Sequence, residues 1–375
     1  MGNFELSDMW LKNLTLLNFK NYNAADLSFS KTVNAFVGNN GAGKTNLLDA
    51  IHYLCLCKSY FNPIDSQQIK TGEELFLVQG DFDRDDKKEK ISCGLKRNHK
   101  KSFKRNKKEY DKLADHIGLF PVVMISPYDI NLIMDGSEER RKFIDNVISQ
   151  TDSKYLDELI IYNKHLLNRN ALLKQVAVTR TLDVALLQIL DEQLIHSGNV
   201  IFEKRKQFLL DFIPLFDKHY RFLTNEAEQV SLTYQSQLNE QSFENLLKQS
   251  MEKDRVLERT TTGIHKDELQ FEIAGMPMKK FGSQGQQKSF LIALKLAQYS
   301  YLQKFKNFKP LLLLDDIFDK LDNHRVHKLM EMVSHHDFGQ IFITDANKSR
   351  VEAVFNEIAV EIELFEVNDG GVIHA

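Results

Sequence analysis

One eight-residue string limits this chain more than any other: Gly38-Asn39-Asn40-Gly41-Ala42-Gly43-Lys44-Thr45, a full G-x-x-x-x-G-K-[ST]. It follows the apolar run Val33 to Val37, which reads as a strand, and precedes Asn46 to Leu56, which reads as a helix. Glycines let the backbone turn its N–H groups inward around phosphates, Lys44 adds a point charge at the β and γ oxygens, and Thr45 offers a hydroxyl to Mg²⁺. The expectation is an α/β chain that binds a nucleoside triphosphate through all eight residues.

A metal-bound triphosphate also needs a carboxylate. Leu311-Leu312-Leu313-Leu314-Asp315-Asp316 has the form of a buried parallel strand ending in acids. Asp315 is expected to join Thr45 in holding Mg²⁺, through water. Asp316 falls where a general base would orient the attacking water, and with Lys44 it completes the catalytic pair; the alternative for Asp316 is a helix-capping or turn acid. Most of the chain lies between Lys44 and Asp315, so a large insertion separates two halves of one nucleotide domain. Asn347-Lys348-Ser349 lacks the Asp of a guanine-reading N-K-x-D string.

The insertion has its own texture. Up to about residue 130 short β-rich runs alternate with turns: Leu11 to Phe19, Val33 to Val37, Phe76 to Phe82, Ile91 to Leu95, Val122 to Ser126. From about Glu138 to Phe222 the apolar spacing turns helical, with few Gly or Pro, and predicts two long helices. Strands return at Leu269 to Ile273, Leu311 to Leu314, Gln340 to Thr344 and Ile362 to Val367, with a helix from Gln284 to Leu302. The expected division is 1–137, 138–225 and 226–375, in keeping with a 375-residue chain of two or three domain-sized units.

A net charge of -3 neither predicts nor excludes nucleic acid, so only a local patch could attract a polyanion. One candidate is the run Lys96 to Lys108, expected as a basic hairpin. It is either a solvated loop or a phosphate-backbone contact through Lys100, Lys101, Lys104, Arg105, Lys107 and Lys108. Cys55, Cys57 and Cys93 suit neither a disulfide framework nor a zinc site and read as reduced packing residues. The acidic start of the chain is unlike a signal peptide, and no run of about 18 apolar residues occurs, which points to the cytoplasm.

Phe281-Gly282-Ser283-Gln284-Gly285-Gln286 precedes an apolar helix. Ser283 with Gln286 three residues on is a capping box, and such a helix start is also an anion site. This segment resembles the signature motif of ABC-type ATPases in the form used by the RecF and SMC branch. The likeness to the RecF family extends over nearly the whole chain. It is carried by Leu17-Asn-Phe-Lys-Asn-Tyr22, the phosphate loop, Ile125 to Ile133, Gly136-Ser-Glu-Glu-Arg140-Arg141, Thr262-Gly-Ile-His265-Lys-Asp267, the Ser283 motif and Asp315-Asp316 through Leu321-Asp322. Lys20 stands where the family more often has Arg, and Asp319 where it generally has Ser. SMC proteins themselves carry coiled coils that this chain is too short to contain.

The resemblance implies an ABC-type P-loop ATPase head with mixed sheets and an inserted helical lobe. ATP on Lys44 and Thr45 of one subunit would be capped by Ser283, Gly285 and Gln286 of a second, making an ATP-dependent homodimer that hydrolyses slowly. It further implies binding to DNA at single-strand/double-strand junctions, mostly by backbone contacts, and the RecR and RecA-loading pathway. A Q-loop equivalent is expected at Ser126 to Asp129, and His265 with Asp267 reads as a structural or interface pair. Arg140 and Arg141 suit either acidic partners or phosphate. The rival readings are the ATPase subunit of a transporter and a DNA clamp that binds nucleotide without significant hydrolysis; a nuclease-bearing relative is disfavoured for want of a further acid cluster.

Overall fold

The computed structural model describes residues 9–224, 228–320, 323–335 and 337–374. The chain divides into two compact units: Met1–Ile130, His219–Asn225 and Lys288–Ala375 form the first, Asn131–Lys218 and Glu226–Gln287 the second. Among the described residues no helix is long and apolar enough to cross a membrane.

The first unit holds two six-stranded sheets. One is antiparallel, in the order Tyr22–Ser28, Met9–Phe19, Leu75–Arg84, Lys87–Lys96, Ser102–Arg105, Lys108–Glu109. Its strands alternate buried and open positions, as a sheet with one covered face must. The other runs Gly371–His374, Ile362–Asn368, Val33–Val37, Ile341–Asp345, Leu311–Leu314, Val122–Ile125, parallel except for its C-terminal edge hairpin. Here Val33–Val37, Ile341–Asp345 and Leu311–Leu314 are buried at every position, the mark of strands covered on both faces. The Lys44–Leu56 helix contacts strands of both sheets. Leu47 through Leu56 are therefore all buried, so this helix has no solvent face. Phe29, Phe36, Phe342 and Phe365 pack as a ring cluster below the phosphate loop's strand.

Where the spacing over about 138–222 predicts two long helices, the second unit has three: Ser137–Thr151, Ser153–Thr179 and Val184–Thr224, whose last residues belong to the first unit. The extra break is Asp152, which sits extended and accepts a hydrogen bond from Tyr155 N at 3.1 Å, capping the helix that follows. This unit also holds a helix at Phe243–Leu257 and a three-stranded sheet of Val230–Gln235, Glu268–Ile273 and Met276–Pro277.

The expected boundary at 225 is thus corrected, because 226–287 folds with the long helices. Buried arginines supply the reason. Arg169 on the Ser153–Thr179 helix reaches Asp254 at 2.7 Å, and Arg205 on the next helix reaches Asp267 at 3.0 Å. Such side chains stay buried only when paired.

Candidate functional site

The phosphate loop has the conformation its glycines permit. Gly38, Gly41 and Gly43 have φ of 154°, 84° and 117°, where L side chains are strained. At Gly38 a Cβ would lie 2.2 Å from the Val367 carbonyl oxygen, so close backbone approach also demands glycine there. Asn39, Asn40 and Gly41 form an exposed rim, while Ala42, Gly43 and Lys44 are buried. Lys44 Nζ donates to the carbonyls of Gly38 at 2.7 Å and Asn39 at 3.0 Å, which holds its charge across the mouth of the loop.

Strand order brings the acids to this loop. The Val33–Val37 and Leu311–Leu314 strands are not neighbours, since Ile341–Asp345 lies between them, parallel to both. All three end at the same edge of the sheet. Thr45 Oγ1 consequently donates to Asp315 Oδ1 at 2.8 Å across 270 residues of sequence. Thr344, at the end of the intervening strand, donates to the same oxygen at 2.8 Å and accepts from Asp316 N at 2.9 Å. Sequence reasoning missed Thr344; no motif marks it, and only the strand order makes it a neighbour. Burial pushes the Asp315 carboxyl above its ordinary value, against the pull of the Thr45 and Thr344 hydroxyls.

These groups fit Mg²⁺. Thr45 spends its hydroxyl proton on Asp315 and keeps lone pairs for a cation, and the buried carboxylate gains from a positive charge beside it. Asp316 follows in a left-handed conformation, φ 46°, directly before the short Ile317–Lys320 helix. Leu321 and Asp322 lie outside the described residues, as does the side chain of Asp319.

Around the loop, other motif residues find partners. Lys20 pairs with buried Asp49 at 2.5 Å, and Asp49 also accepts from Ser59 Oγ and Tyr60 N. The turn after Val122–Ile125 places Ser126 beside Asp315, whose N–H donates to the Ile125 carbonyl at 2.9 Å. In that turn Asp129 accepts from Ser126 N and Tyr60 and pairs with buried Lys295 at 2.7 Å.

Ser283 and Gln286 form the expected capping box: Ser283 N donates to Gln286 Oε1 at 2.7 Å, and Gln286 N to Ser283 Oγ at 3.2 Å. Ser283 is exposed and Gly285 and Gln286 are half-buried at the start of the Gln284–Lys306 helix. The six basic candidates do not share one environment. Lys101 pairs with Asp65 at 2.8 Å and donates to the Cys57 carbonyl, and Arg105 binds Glu89 through two nitrogens. Lys100, Lys107 and Lys108 are exposed, and Lys104 is half-buried.

Arg140 binds Glu268 bidentately with 2.7 Å bonds, and Arg141 donates to the Asp267 carbonyl at 2.7 Å. Asp267 accepts from Arg205 and Tyr234, while His265 bonds Tyr162 and the Thr260 carbonyl. These motif residues hold the second unit together.

Residues 10–368 match the model of the RecF/RecN/SMC N terminal domain. The chain is 52% identical to the DNA replication and repair protein RecF of Flavobacterium johnsoniae, covering 96% of this chain and 100% of that one. It is 49% identical to the same-named protein of Parabacteroides distasonis, over 97% and 99%. Among solved structures, the ATP complex of the recombination mediator protein RecF in the RecFOR pathway superposes with a TM-score of 0.90 at 31% identity, over the full length of both chains. The Smc head domain of Pyrococcus furiosus is similar in fold alone, with a TM-score of 0.57 at 19% identity over 98% of this chain and 96% of that one.

Proposed function

Because the chain belongs to the RecF family of the RecF/RecN/SMC ATPases, we propose that it is an ATP-driven DNA-repair switch in which two copies close around bound nucleotide. The observation that carries this reading is the Thr45–Asp315 hydrogen bond at the mouth of the glycine loop, which assembles both halves of an ATPase site from opposite ends of the chain. The ATP complex of a relative with the same fold supports the choice of nucleotide.

In this reading the loop N–H groups and Lys44 bind the β and γ phosphates, Lys44 exchanging its loop carbonyls for phosphate oxygens. Thr45 and Asp315 hold Mg²⁺, which when bound neutralises the charge on the phosphates. Asp316 orients the attacking water, and its short arm suits slow hydrolysis; a turnover above about ten per second without DNA, near the enzyme median, would refute the timer role. Ser283, Gly285 and Gln286 of a second copy cap the γ-phosphate. The exposed, serine-capped helix start supports this, since its first N–H groups favour an anion. Hydrolysis removes the shared ligand and the copies part.

The closed dimer binds DNA at single-strand/double-strand junctions through backbone contacts, with Lys100, Lys107 and Lys108 as the outward cations of the basic stretch and Lys104 beside them. The names of the relatives and the RecFOR setting of the ATP complex support a place beside RecR in loading RecA.

Light scattering tests the switch, on protein without nucleotide, with ADP, and with ATP and Mg²⁺. A dimer with ATP alone, absent in Lys44→Ala and Ser283→Arg, is expected. A monomer under every condition with ATP nevertheless bound would overturn it in favour of a clamp that binds nucleotide without switching.

A further inference from the structure

The phosphate loop is also held by residues from outside its own strand and helix. The Ala42 carbonyl accepts from Asn21 Nδ2 at 3.0 Å and from the Gly370 N–H at 3.2 Å. Asn21 ends the turn between the first two strands, and Gly370 sits in the tight turn between Ile362–Asn368 and Gly371–His374. Asn21 is itself fixed at two further points: its side-chain oxygen accepts from Asn46 Nδ2 at 2.7 Å, and its backbone carbonyl from Lys70 Nζ at 2.8 Å.

The fit is close on every side. A Cβ on Gly43 would lie 2.4 Å from the Asn21 amide, and one on Gly370 would lie 2.7 Å from the Asn21 carbonyl oxygen. Next along the loop, the Gly43 carbonyl accepts from Tyr22 Oη at 3.0 Å as well as from the first turn of its helix.

A trans peptide plane points its C=O and the following N–H in opposite directions. Two donors that hold the Ala42 carbonyl outward therefore turn the Gly43 N–H inward, toward the space the loop encloses. The plane turns about ψ of Ala42 and φ of Gly43, and glycine at the second hinge, at φ 117°, widens the orientations open to it, so the two donors narrow a choice the loop itself leaves wide.

We propose that Asn21, acting with the C-terminal hairpin through Gly370, is a positioning residue of the nucleotide site: it locks the Ala42–Gly43 peptide plane with its N–H toward the phosphates before nucleotide arrives. This rests on the nucleotide-binding reading above. It gives the early Asn-Phe-Lys-Asn-Tyr segment and the last strands of the chain a shared task, pre-organising the loop so that binding does not have to order it.

The test is titration calorimetry of the full chain with Mg-ADP and with the slowly hydrolysed analogue ATPγS, for wild type, Asn21→Leu and Asn21→Asp. Leucine and aspartate keep the size of the asparagine and lose its donor. Losing one of two hydrogen bonds to the carbonyl is expected to weaken both nucleotides roughly fivefold to tenfold in each variant. The melting temperature without nucleotide reads any general packing defect, which would lower it without singling out nucleotide affinity. Variants that melt like wild type and bind nucleotide equally well would overturn the proposal. If Asn21→Leu does not fold, Asn46→Ala, which frees the Asn21 amide, is expected to weaken binding in the same direction, and unchanged affinity there would also overturn it. Wild-type protein that binds neither nucleotide would instead refute the reading of the site.

Discussion

Replacing Thr344 by Val removes one hydroxyl from the centre of the site and leaves the volume nearly unchanged. In the native chain that hydroxyl donates to Asp315 Oδ1 at 2.8 Å and accepts from Asp316 N at 2.9 Å, and Thr344 is fully buried. Two terms follow. A hydrogen bond to a carboxylate is worth about 1.5–3 kcal/mol, and a buried N–H without a partner costs about 1–3 kcal/mol. Partial relaxation at the end of the strand keeps the expected loss to about 3 kcal/mol. The one tryptophan of the chain, Trp10, lies in the antiparallel sheet of the same unit, so its fluorescence in urea follows the part of the molecule that is perturbed. With a slope of about 3 kcal/mol per molar urea, the midpoint should fall by about 1 M. Thr344→Ser keeps the hydroxyl and should stay near wild type. A Thr344→Val midpoint within about 0.2 M of wild type would show that the Thr344 bridge contributes little, and would refute the reasoning.

Other consequences are equally open to measurement. Gly38→Ala places a Cβ 2.2 Å from the Val367 oxygen at a φ of 154°, so it should cost at least ~2 kcal/mol of stability and abolish nucleotide binding; a normally folded, nucleotide-binding variant would contradict this. Lys20→Met takes the half-buried cation away from fully buried Asp49 and should cost about 3 kcal/mol in the Trp10-monitored urea transition, an effect that an unchanged midpoint would exclude.

The pH dependence has a definite sign. His52, His116 and His265 are each pushed down to about 4 by burial. A folded pKa below the unfolded one means that the unfolded chain takes up more protons, so their stabilisation is full above pH about 6.5 and is lost as pH falls toward 4. Melting temperatures measured across that window should decline steeply, and a flat profile would show that the rings are not held neutral.

Much of the site was legible wherever its parts are contiguous. The phosphate loop lies within one strand–turn–helix, so its glycines, Lys44 and Thr45 announce it. The Ser283–Gln286 capping box spans three residues and appears as read, because both of its bonds are local. The all-apolar Leu311–Leu314 strand identifies itself for a similar reason: burial on both faces is written into every position. Asp152 was less visible, since a capping acid inside an otherwise helical pattern resembles one more polar residue on a solvent face.

What the residues alone determined about this protein, then, is its local chemistry: a triphosphate loop, an acidic strand end, a capped helix start and, through the motifs, its family. Tertiary structure alone decided which distant groups meet. Parallel strands can pair in many orders, and nothing in Gln340 to Thr344 states that this run lies between the other two, yet that order places Thr344 against Asp315 and lets Thr45 reach it. The clamp on Ala42 is likewise assembled from residues 21 and 370. Arg205 and Arg169, charged residues that a sequence reader assigns to solvent, are buried because Asp267, Asp145, Asp254 and Asp191 come to them from elsewhere in the chain. Hydrogen bonds and ion pairs of this kind carry no periodicity, so they become visible only when the chain has folded.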